Sequence, residues 1–169
     1  MPQQPGSPDP FAPFSVEMTA RIRPCREEDL PTLEWFGLFE SHRELIRSTF
    51  ERHRERTAAM LVADVNGVAS GQAWLDFSRR EEEAVAVLWA VRVFPSLQNL
   101  GIGARLVAAA EQVCRESGCA EVEITVRHDN PSARRFYTRL GYRPYEAMPQ
   151  SGHWVMRKAL LALAERSRS

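Results

Sequence analysis

The sequence predicts a single α/β domain built on a mixed central sheet of about six or seven strands, with about four flanking helices. Three observations carry this prediction. Strand and helix patterns alternate from Met18 onward. An Asn66-Gly67 pair joins two apolar runs, which is typical of a tight antiparallel hairpin. Later, a helix-length segment separates two further apolar runs, and this spacing predicts a parallel pair of strands.

The first half of the domain is predicted to be antiparallel. Leu30, Leu33 and Phe36 form the apolar stripe of a first helix. Ser41 and Glu44 have the spacing of a capping box, so we expect a second helix there. In order, the predicted elements are a strand over 19–23, a helix over 26–38, a helix with Leu45, Ile46, Phe50 and His53 on one face, hairpin strands over 58–64 and 68–77, and a charged connection over 78–83.

The second half supplies the parallel pair. The run over 84–94 is apolar on both faces, as expected for a central strand. Val122, Ile124 and Val126 alternate within the next run, so we expect them to face inward. In order, the predicted elements are a strand over 84–94, an amphipathic helix that contains Leu106 and Val107, a strand over 120–127, a short helix over 130–140, and strands over 143–146 and 153–158.

Composition limits the class of protein. The chain has 169 residues, of which 44% are hydrophobic and 26% charged, as is typical of a soluble globular domain. The formal net charge of zero argues against a nucleic-acid partner. No apolar run approaches the roughly 18 residues that cross a membrane. Cys25, Cys114 and Cys119 lack the spacing of a zinc site or a disulfide framework, which predicts a reduced, cytoplasmic setting.

The domain is predicted to cover residues 18–160. Residues 1–17 are rich in Pro, Gln, Ser and Gly and lack the basic start and apolar core of a signal peptide, so we expect a disordered N-terminal tail. Residues 161–169 are predicted to form a C-terminal tail.

The segment over 91–106 predicts an anion-binding turn. An apolar run ends at Pro95, and a short polar turn places Gly101 and Gly103 at the start of an amphipathic helix. A helix start has unpaired N–H groups and about +0.5 of an elementary charge from the helix dipole. A phosphate group satisfies both. Because glycine lacks a Cβ, we expect both glycines to allow positive φ and close approach of the anion.

Two other phosphate-binding motifs fit these residues less well. A P-loop requires Gly-Lys followed by Ser or Thr, but Lys158 is the chain's single lysine and lies far from the turn. A dinucleotide-binding fold requires a third glycine where Leu106 stands. Glu121 and Glu123 lie near the distance expected for a ribose-binding acid, yet they begin the next apolar run instead of ending it, which disfavours that fold.

Gln98, Gly101 and Gly103 resemble the coenzyme A loop of the GCN5-related N-acetyltransferase (GNAT) superfamily, whose pattern is Gln or Arg, two residues, Gly, one residue, then Gly or Ala. The resemblance implies a GNAT-like sheet in which the parallel strands splay apart and the pantetheine arm of acetyl-CoA inserts between them. It assigns acetyl-CoA binding to Val91, Val93, Gln98, Asn99, Leu100, Gly101, Ile102, Gly103, Ala104, Asn130 and Tyr137.

A second segment, over 130–142, supports the same resemblance. Asn130 is a helix N-cap, Pro131 suits the first helical position, and Gly141 suits the C-terminal cap. From the residues alone, Tyr137 is a core aromatic on the buried stripe of this helix. The family pattern places a tyrosine seven residues after the asparagine, and it has Phe where Tyr142 stands. The resemblance therefore implies that Tyr137 is the catalytic proton donor to the departing thiolate.

The general base is not identified by this resemblance. Many relatives carry Glu or Asp on the strand before the loop, where this chain has Ala90. Glu83 and His128 are candidates, although their positions favour an exposed acid and a solvated histidine. No cluster has metal-ligand spacing, so we expect no metal. No stronger claim attaches to the other histidines, His42, His53 and His153.

These observations predict an N-acetyltransferase that uses acetyl-CoA and acts on a primary amine of a small molecule or peptide. The acceptor and the oligomeric state stay open, a homodimer included. One alternative is a catalytically silent domain that binds coenzyme A as a sensor or as part of an assembly. Another is a plain interaction domain, which would leave the turn over 98–103 without a role.

Overall fold

The structure, a computed structural model, describes residues 9, 11–35, 37–148 and 151–160. The strands are β1 (Ala20–Pro24), β2 (Ala58–Val65), β3 (Val68–Arg80), β4 (Val85–Val93), β5 (Glu121–Arg127), β6 (Arg143–Met148) and β7 (His153–Ala159). The helices are α1 (Arg43–Arg54), α2 (Ile102–Glu116) and α3 (Pro131–Arg139), with 3-10 helices at Glu27–Glu34, Glu40–His42, Glu81–Glu83 and Pro95–Leu97. None of the helices in these ranges is long and apolar enough to cross a membrane.

The seven strands form one mixed sheet in the order β1-β2-β3-β4-β5-β7-β6. Strands β1 to β4 are antiparallel neighbours, β4 and β5 are parallel, and β7 lies antiparallel between β5 and β6. Helix α2 connects the parallel pair, as a crossover must. With α1, α2, α3 and the first 3-10 helix around the sheet, the predicted fold class is confirmed.

The predicted hairpin between β2 and β3 is also confirmed. Asn66 has φ 49° and Gly67 has φ 87°, the positive values that a type I′ turn requires at both central positions. Asp64 Oδ1 accepts a hydrogen bond from the Gly67 amide at 2.7 Å, which fixes the turn.

Apolar side chains pack on both faces of the sheet. One core layer lies between the sheet and α2 and includes Leu75, Leu88 and Leu106. The other lies between the sheet and α1 and the first 3-10 helix, and it includes Trp74 and Leu33. The inward-facing residues predicted on β5, Val122, Ile124 and Val126, are all buried. Because both faces are covered, every residue of β2 and the first four residues of β4 are buried.

The predicted helix over 26–38 is wrong in type and length. The chain forms a 3-10 helix from Glu27 to Glu34, and Trp35 then adopts a left-handed φ of 43°. Pro31 lies inside this segment, and proline disrupts an α-helix because it lacks an N–H and clashes with the preceding turn. Leu33 is buried as predicted. Phe36 lies outside the described residues.

Two further expectations are corrected. Ser41 does not cap a helix, because it lies within the 3-10 turn before α1, and its Oγ contacts His42 Nδ1 at 3.1 Å. Of the predicted stripe on α1, Leu45 is 41% exposed. Strand β3 extends to Arg80, into the predicted charged connection, where Arg80 Nε pairs with Glu123 Oε1 at 3.0 Å.

Strands β4 and β5 pair at one end and separate at the other. Their register covers three pairs, from Val85 with Glu121 to Val87 with Glu123. Beyond this point β5 pairs with β7, while β4 follows β3. A bulge redirects β4, because two residues, one of them Ala90 with φ 53°, lie opposite a single residue of β3. A wedge therefore opens between the two strands.

Ion pairs hold the closed end of this wedge. The buried carboxylate of Glu123 accepts hydrogen bonds from Arg80 Nε at 3.0 Å and Arg157 Nε at 2.8 Å. Arg157 also pairs with Glu83 at 2.9 Å and Glu121 at 3.3 Å. These side chains join β3, β5, β7 and the turn before β4, and they reinforce a short parallel pairing.

Deleting residues 1–16 should leave the domain's stability unchanged. Phe11 and Phe14 are 92% and 85% exposed, and the described part of this segment makes only local hydrogen bonds. Residues 1–8 and 10, like the predicted tail at 161–169, lie outside the described residues. Thermal denaturation should show a shift of less than about 2 °C. As a control, deletion through residue 24 also removes β1 and should lower the melting temperature strongly.

A large drop for the shorter deletion would show that the tail packs on the domain.

Candidate active site

The wedge between β4 and β5 opens into a cleft of about 990 Å³. Its walls are the end of β4, the turn before α2, the helix α3, and the segment after the first 3-10 helix. That last segment contributes Trp35, Leu38 and Phe39, which lie in the region 24–57 expected to select the acceptor but which sequence analysis did not name individually. A cleft of this size suits a ligand as large as a nucleotide cofactor.

The structure brings nine of the eleven predicted cofactor-binding residues to this cleft. They are Val91, Val93, Gln98, Asn99, Gly101, Gly103, Ala104, Asn130 and Tyr137. The other two, Leu100 and Ile102, do not line it. Leu100 is 59% exposed, and Ile102 packs into the core beside α2. Binding roles for these residues stay predictions.

The turn before α2 presents a helix start to the cleft. Gly101 is the N-cap residue with φ 81°, and no side chain caps the helix. Gly103 lies inside α2 without positive φ, which corrects the expectation for that residue. A Cβ at this position would lie in ordinary van der Waals contact with Phe136, at 3.5 Å, so only a larger side chain would fill the space there. Gln98 Nε2 donates to the Val93 carbonyl at 3.1 Å and ties the turn to β4.

Tyr137 is held in the cleft by the short helix α3. The predicted N-cap is confirmed, since Asn130 Oδ1 accepts a hydrogen bond from the Ala133 amide at 3.0 Å. The Tyr137 ring packs edge-on against Phe136 and Tyr142, with centroids 5.0 Å and 5.5 Å away. Burial raises the pKa of Tyr137 to about 12, because the phenolate loses solvation. The phenol therefore stays protonated across the neutral range.

The charged residues of the described cleft lining are three arginines, Arg92 on β4 and Arg135 and Arg139 on α3. No Asp, Glu or His lines the cleft in the described part of the chain. Sequence analysis missed all three arginines. The i, i+4 spacing of Arg135 and Arg139 is a usable signal, because it places them on one face of a helix. Arg92 offers no such signal, since its placement depends on the β4 bulge.

The two candidate bases lie outside the cleft lining. The Glu83 carboxylate accepts hydrogen bonds from Arg157 at 2.9 Å and Arg80 at 3.1 Å, and these bonds lower the pKa of Glu83. It is committed to the ion pairs at the closed end of the wedge. His128 packs on Trp154, with ring centroids 4.7 Å apart. Neither residue lines the cleft.

The remaining histidines are engaged elsewhere or peripheral. His53 Nδ1 accepts a hydrogen bond from the Met60 amide at 3.4 Å, and burial lowers the pKa of His53. His42 packs against the ring of Phe39, a lining residue of the cleft, with centroids 5.7 Å apart. Among the described residues, no group of three or more His, Cys, Asp or Glu could hold a metal ion.

Comparison with known proteins agrees with this fold and cleft. The sequence model of the acetyltransferase (GNAT) family matches residues 22–142. This chain belongs to the GNAT family. The match spans β1 through the end of α3 and contains the turn before α2 and Tyr137, so the resemblance inferred from those segments is confirmed.

Individual relatives and solved structures have low sequence identity to this chain. A mycothiol acetyltransferase of Sanguibacter keddieii is 30% identical over 147 residues, 79% of this chain. The chain spans about half or less of the mycothiol acetyltransferases it matches, 24%, 46% and 52% of their lengths. PaiA N-acetyltransferase from Thermoplasma acidophilum in complex with coenzyme A superposes with a TM-score of 0.67 at 21% identity, over 83% of this chain and 99% of that one. The structure of yncA from Salmonella typhimurium with acetyl-CoA gives 0.73 at 20%, over 86% and 95%.

Proposed function

We propose that this GNAT-family chain transfers the acetyl group of acetyl-CoA to a primary amine of a small molecule or peptide. The observation that carries the proposal is the convergence of three features in one cleft. These are an uncapped helix start at Gly101, a β4 edge that leaves its partner strand after Val87, and the half-buried Tyr137. The bound coenzyme A and acetyl-CoA in PaiA and yncA support the choice of cofactor.

The cleft has a suitable group for each part of acetyl-CoA. The first amides of α2 suit a pyrophosphate, because the helix dipole and unpaired N–H groups both favour an anion. Arg135 and Arg139, exposed beside them, supply cations for further phosphate oxygens. The separated edge of β4, at Val91 and Val93, offers backbone groups to the amides of the pantetheine arm.

The reaction requires one bond to form, one to break and three proton movements. We propose that an ammonium acceptor first loses one proton to solvent, since no Asp, Glu or His stands in the described lining. The neutral amine nitrogen then attacks the acetyl carbonyl carbon, and the carbon–sulfur bond breaks. Tyr137 gives its phenolic proton to the leaving sulfur, a step for which a pKa of about 12 keeps the donor protonated. The proton that the nitrogen loses as the amide forms returns the Tyr137 phenolate to its phenol.

The same absence of a carboxylate favours one alternative, a catalytically silent domain that binds coenzyme A. A screen of primary amines that follows free thiol release from acetyl-CoA separates the two functions. Thiol release that depends on an amine and yields its acetylated product supports transfer. Tight acetyl-CoA binding without any acetylated amine would favour the silent module.

We also propose a cytoplasmic location, because Cys25, Cys114 and Cys119 are free thiols, and free thiols persist in reducing compartments.

Replacing Gly103 by valine should abolish acetyl-CoA binding while preserving the fold. Branched carbons at this position would fill the space beside the first amides of α2, near Phe136 and Val93. Isothermal titration calorimetry with acetyl-CoA provides the measurement, and circular dichroism checks the fold. Ala108→Val is the matched control, since Ala108 is exposed on the same helix and does not line the cleft. Wild-type affinity in folded Gly103→Val would remove the proposed phosphate site.

Tyr137→Phe should lower kcat by roughly 10²- to 10⁴-fold, because it keeps the packed ring and removes the proton donor. The acetyl-CoA affinity and the melting temperature should change little. Steady-state kinetics with an amine found in the screen, together with calorimetry, distinguish a role in the transition state from a role in packing. Phe136→Leu, which alters the neighbouring ring, controls for loose packing of α3. Unchanged kcat with chemistry rate-limiting would show that Tyr137 is only a core aromatic.

The pH dependence of kcat/KM should reflect the pKa of the acceptor and not the pKa of a protein base. Because solvent deprotonates the ammonium, kcat/KM should rise about tenfold per pH unit up to the acceptor's own pKa, and it should move when the acceptor is changed. Loss of the Tyr137 proton should lower the rate only near pH 12, the pKa that burial produces. Glu83→Gln and His128→Gln should leave the profile unchanged. A rising limb near neutral pH that is the same for all acceptors would reveal a protein base.

A further inference from the structure

Arg92 lines the cleft from the face of β4 opposite to Val91 and Val93. It follows the β4 bulge and faces the α1 side of the sheet, where its guanidinium lies 4.3 Å from the centroid of the Phe39 ring. Phe39 in turn packs edge-on against Trp35 at 5.4 Å. Arg92, Phe39, Trp35 and Leu38 together form a wall of the cleft, which we call the aromatic wall.

No carboxylate among the described residues compensates the charge of Arg92. Other arginines that are withdrawn from solvent on this sheet face carboxylates: Arg23 pairs with Asp29 at 2.7 Å, and Arg157 pairs with Glu123 at 2.8 Å. Arg92 is half-buried and makes no ion pair or hydrogen bond with the described residues. Burial alone lowers the pKa of Arg92, with no carboxylate to oppose it. A partly desolvated cation without a partner is costly, so a ligand anion there would be strongly favoured.

The Phe39 ring contacts the guanidinium carbon, and none of the guanidinium N–H groups is bonded to a described residue. Those N–H groups form a planar fork that matches the two oxygens of a carboxylate. The aromatic wall offers no second donor, since Trp35 Nε1 is already bonded to the Ala69 carbonyl at 3.3 Å. One planar fork without a second cation suits a carboxylate better than a phosphate dianion.

The buried polar groups beneath Arg92 also favour a polar ligand at this end of the sheet. Gln72 is the cross-strand partner of Arg92, so it lies on the same face of the sheet. It is fully buried, and neither its amide nitrogen nor its amide oxygen has a partner among the described residues. A buried amide without hydrogen-bond partners destabilises the fold, so additional polar contacts at this end of the sheet would stabilise it.

We propose that the acceptor is an amine that also carries a carboxylate, and that Arg92 binds this carboxylate while the aromatic wall contacts the rest of the molecule. This inference rests on the proposed acetyl transfer. It disfavours polyamines and aminoglycosides, because the described cleft lining holds three arginines and no acid to receive their cations. Arg92 is thus a specificity-determining residue.

Matched acceptor pairs test the inference. The probes are α-amino acids, 3-aminopropanoate and 4-aminobutanoate, each compared with its carboxamide, together with spermidine. For the best acids, kcat/KM with acetyl-CoA should exceed that of the amide at least tenfold. Arg92→Gln should remove this preference mainly through KM, and Arg92→Lys should retain part of it. Arg47→Gln is the control, because it makes the same charge change at an exposed position of α1 outside the cleft lining.

Calorimetry with the same probes and protein saturated with coenzyme A separates this inference from the proposed function. Acids that bind at least tenfold tighter than their amides, with the difference lost in Arg92→Gln, support the inference even if no amine is acetylated. Acetylation of amides or spermidine without a preference for acids would sustain acetyl transfer and overturn the role of Arg92. Equal or undetectable binding of acids and amides, or a preference that survives in Arg92→Gln, would overturn it as well.

Discussion

Two neighbouring strands of one sheet pair at one end and separate at the other, and the whole site depends on this geometry. Strands β4 and β5 share three register pairs before they part. The bulge at Ala90 contributes to the separation, with a left-handed φ of 53° that costs about 1–2 kcal/mol for a residue with a Cβ. Packing on both faces of β4, such as Trp89 against Trp74 at 4.8 Å, offsets part of that cost.

The ion pairs of Glu123 explain how so short a parallel pairing persists. A buried carboxylate is stable only when its oxygens are paired, and Glu123 satisfies both through Arg80 and Arg157. Those partners come from β3 and β7, so the ion pairs join strands on both sides of the wedge. The closed end is polar and tightly bonded, whereas the open end is lined by apolar side chains, backbone edges and unpaired cations.

Local signals in the sequence were sufficient for most of the fold. The Asn66-Gly67 turn, the Asn130 cap and the start of α2 each depend on residues close together in the chain, and each was predicted correctly. The error in the first helix arose from a local signal that was overlooked, since Pro31 shortens that helix into a 3-10 segment. The position of β7 between β5 and β6 has no local signal, because it is set by sheet packing.

The residues of the site also fall into two groups, those that the sequence identifies and those that only the fold brings together. The turn follows from local spacing and Tyr137 from the resemblance to the family pattern, so their residues could be named in advance. The aromatic wall and Arg92 could not, because they come together only through the β4 bulge and the early end of the first helix. The exclusion of Glu83 as the general base likewise required the three-dimensional structure, since its partner Arg157 lies far along the chain.

The separated edge of β4 has a consequence for evolution. A ligand that lies along it takes the place of a missing strand and is recognised through main-chain N–H and C=O groups, which every residue except proline provides. Side chains at Val91 and Val93 pack toward α2 instead. Sequence drift at these positions therefore leaves the ligand's polar contacts intact, while the opposite face of the same strand, at Arg92, is free to change from one acceptor to another. In this way a single strand can keep the same contacts to one ligand while its contacts to the acceptor change.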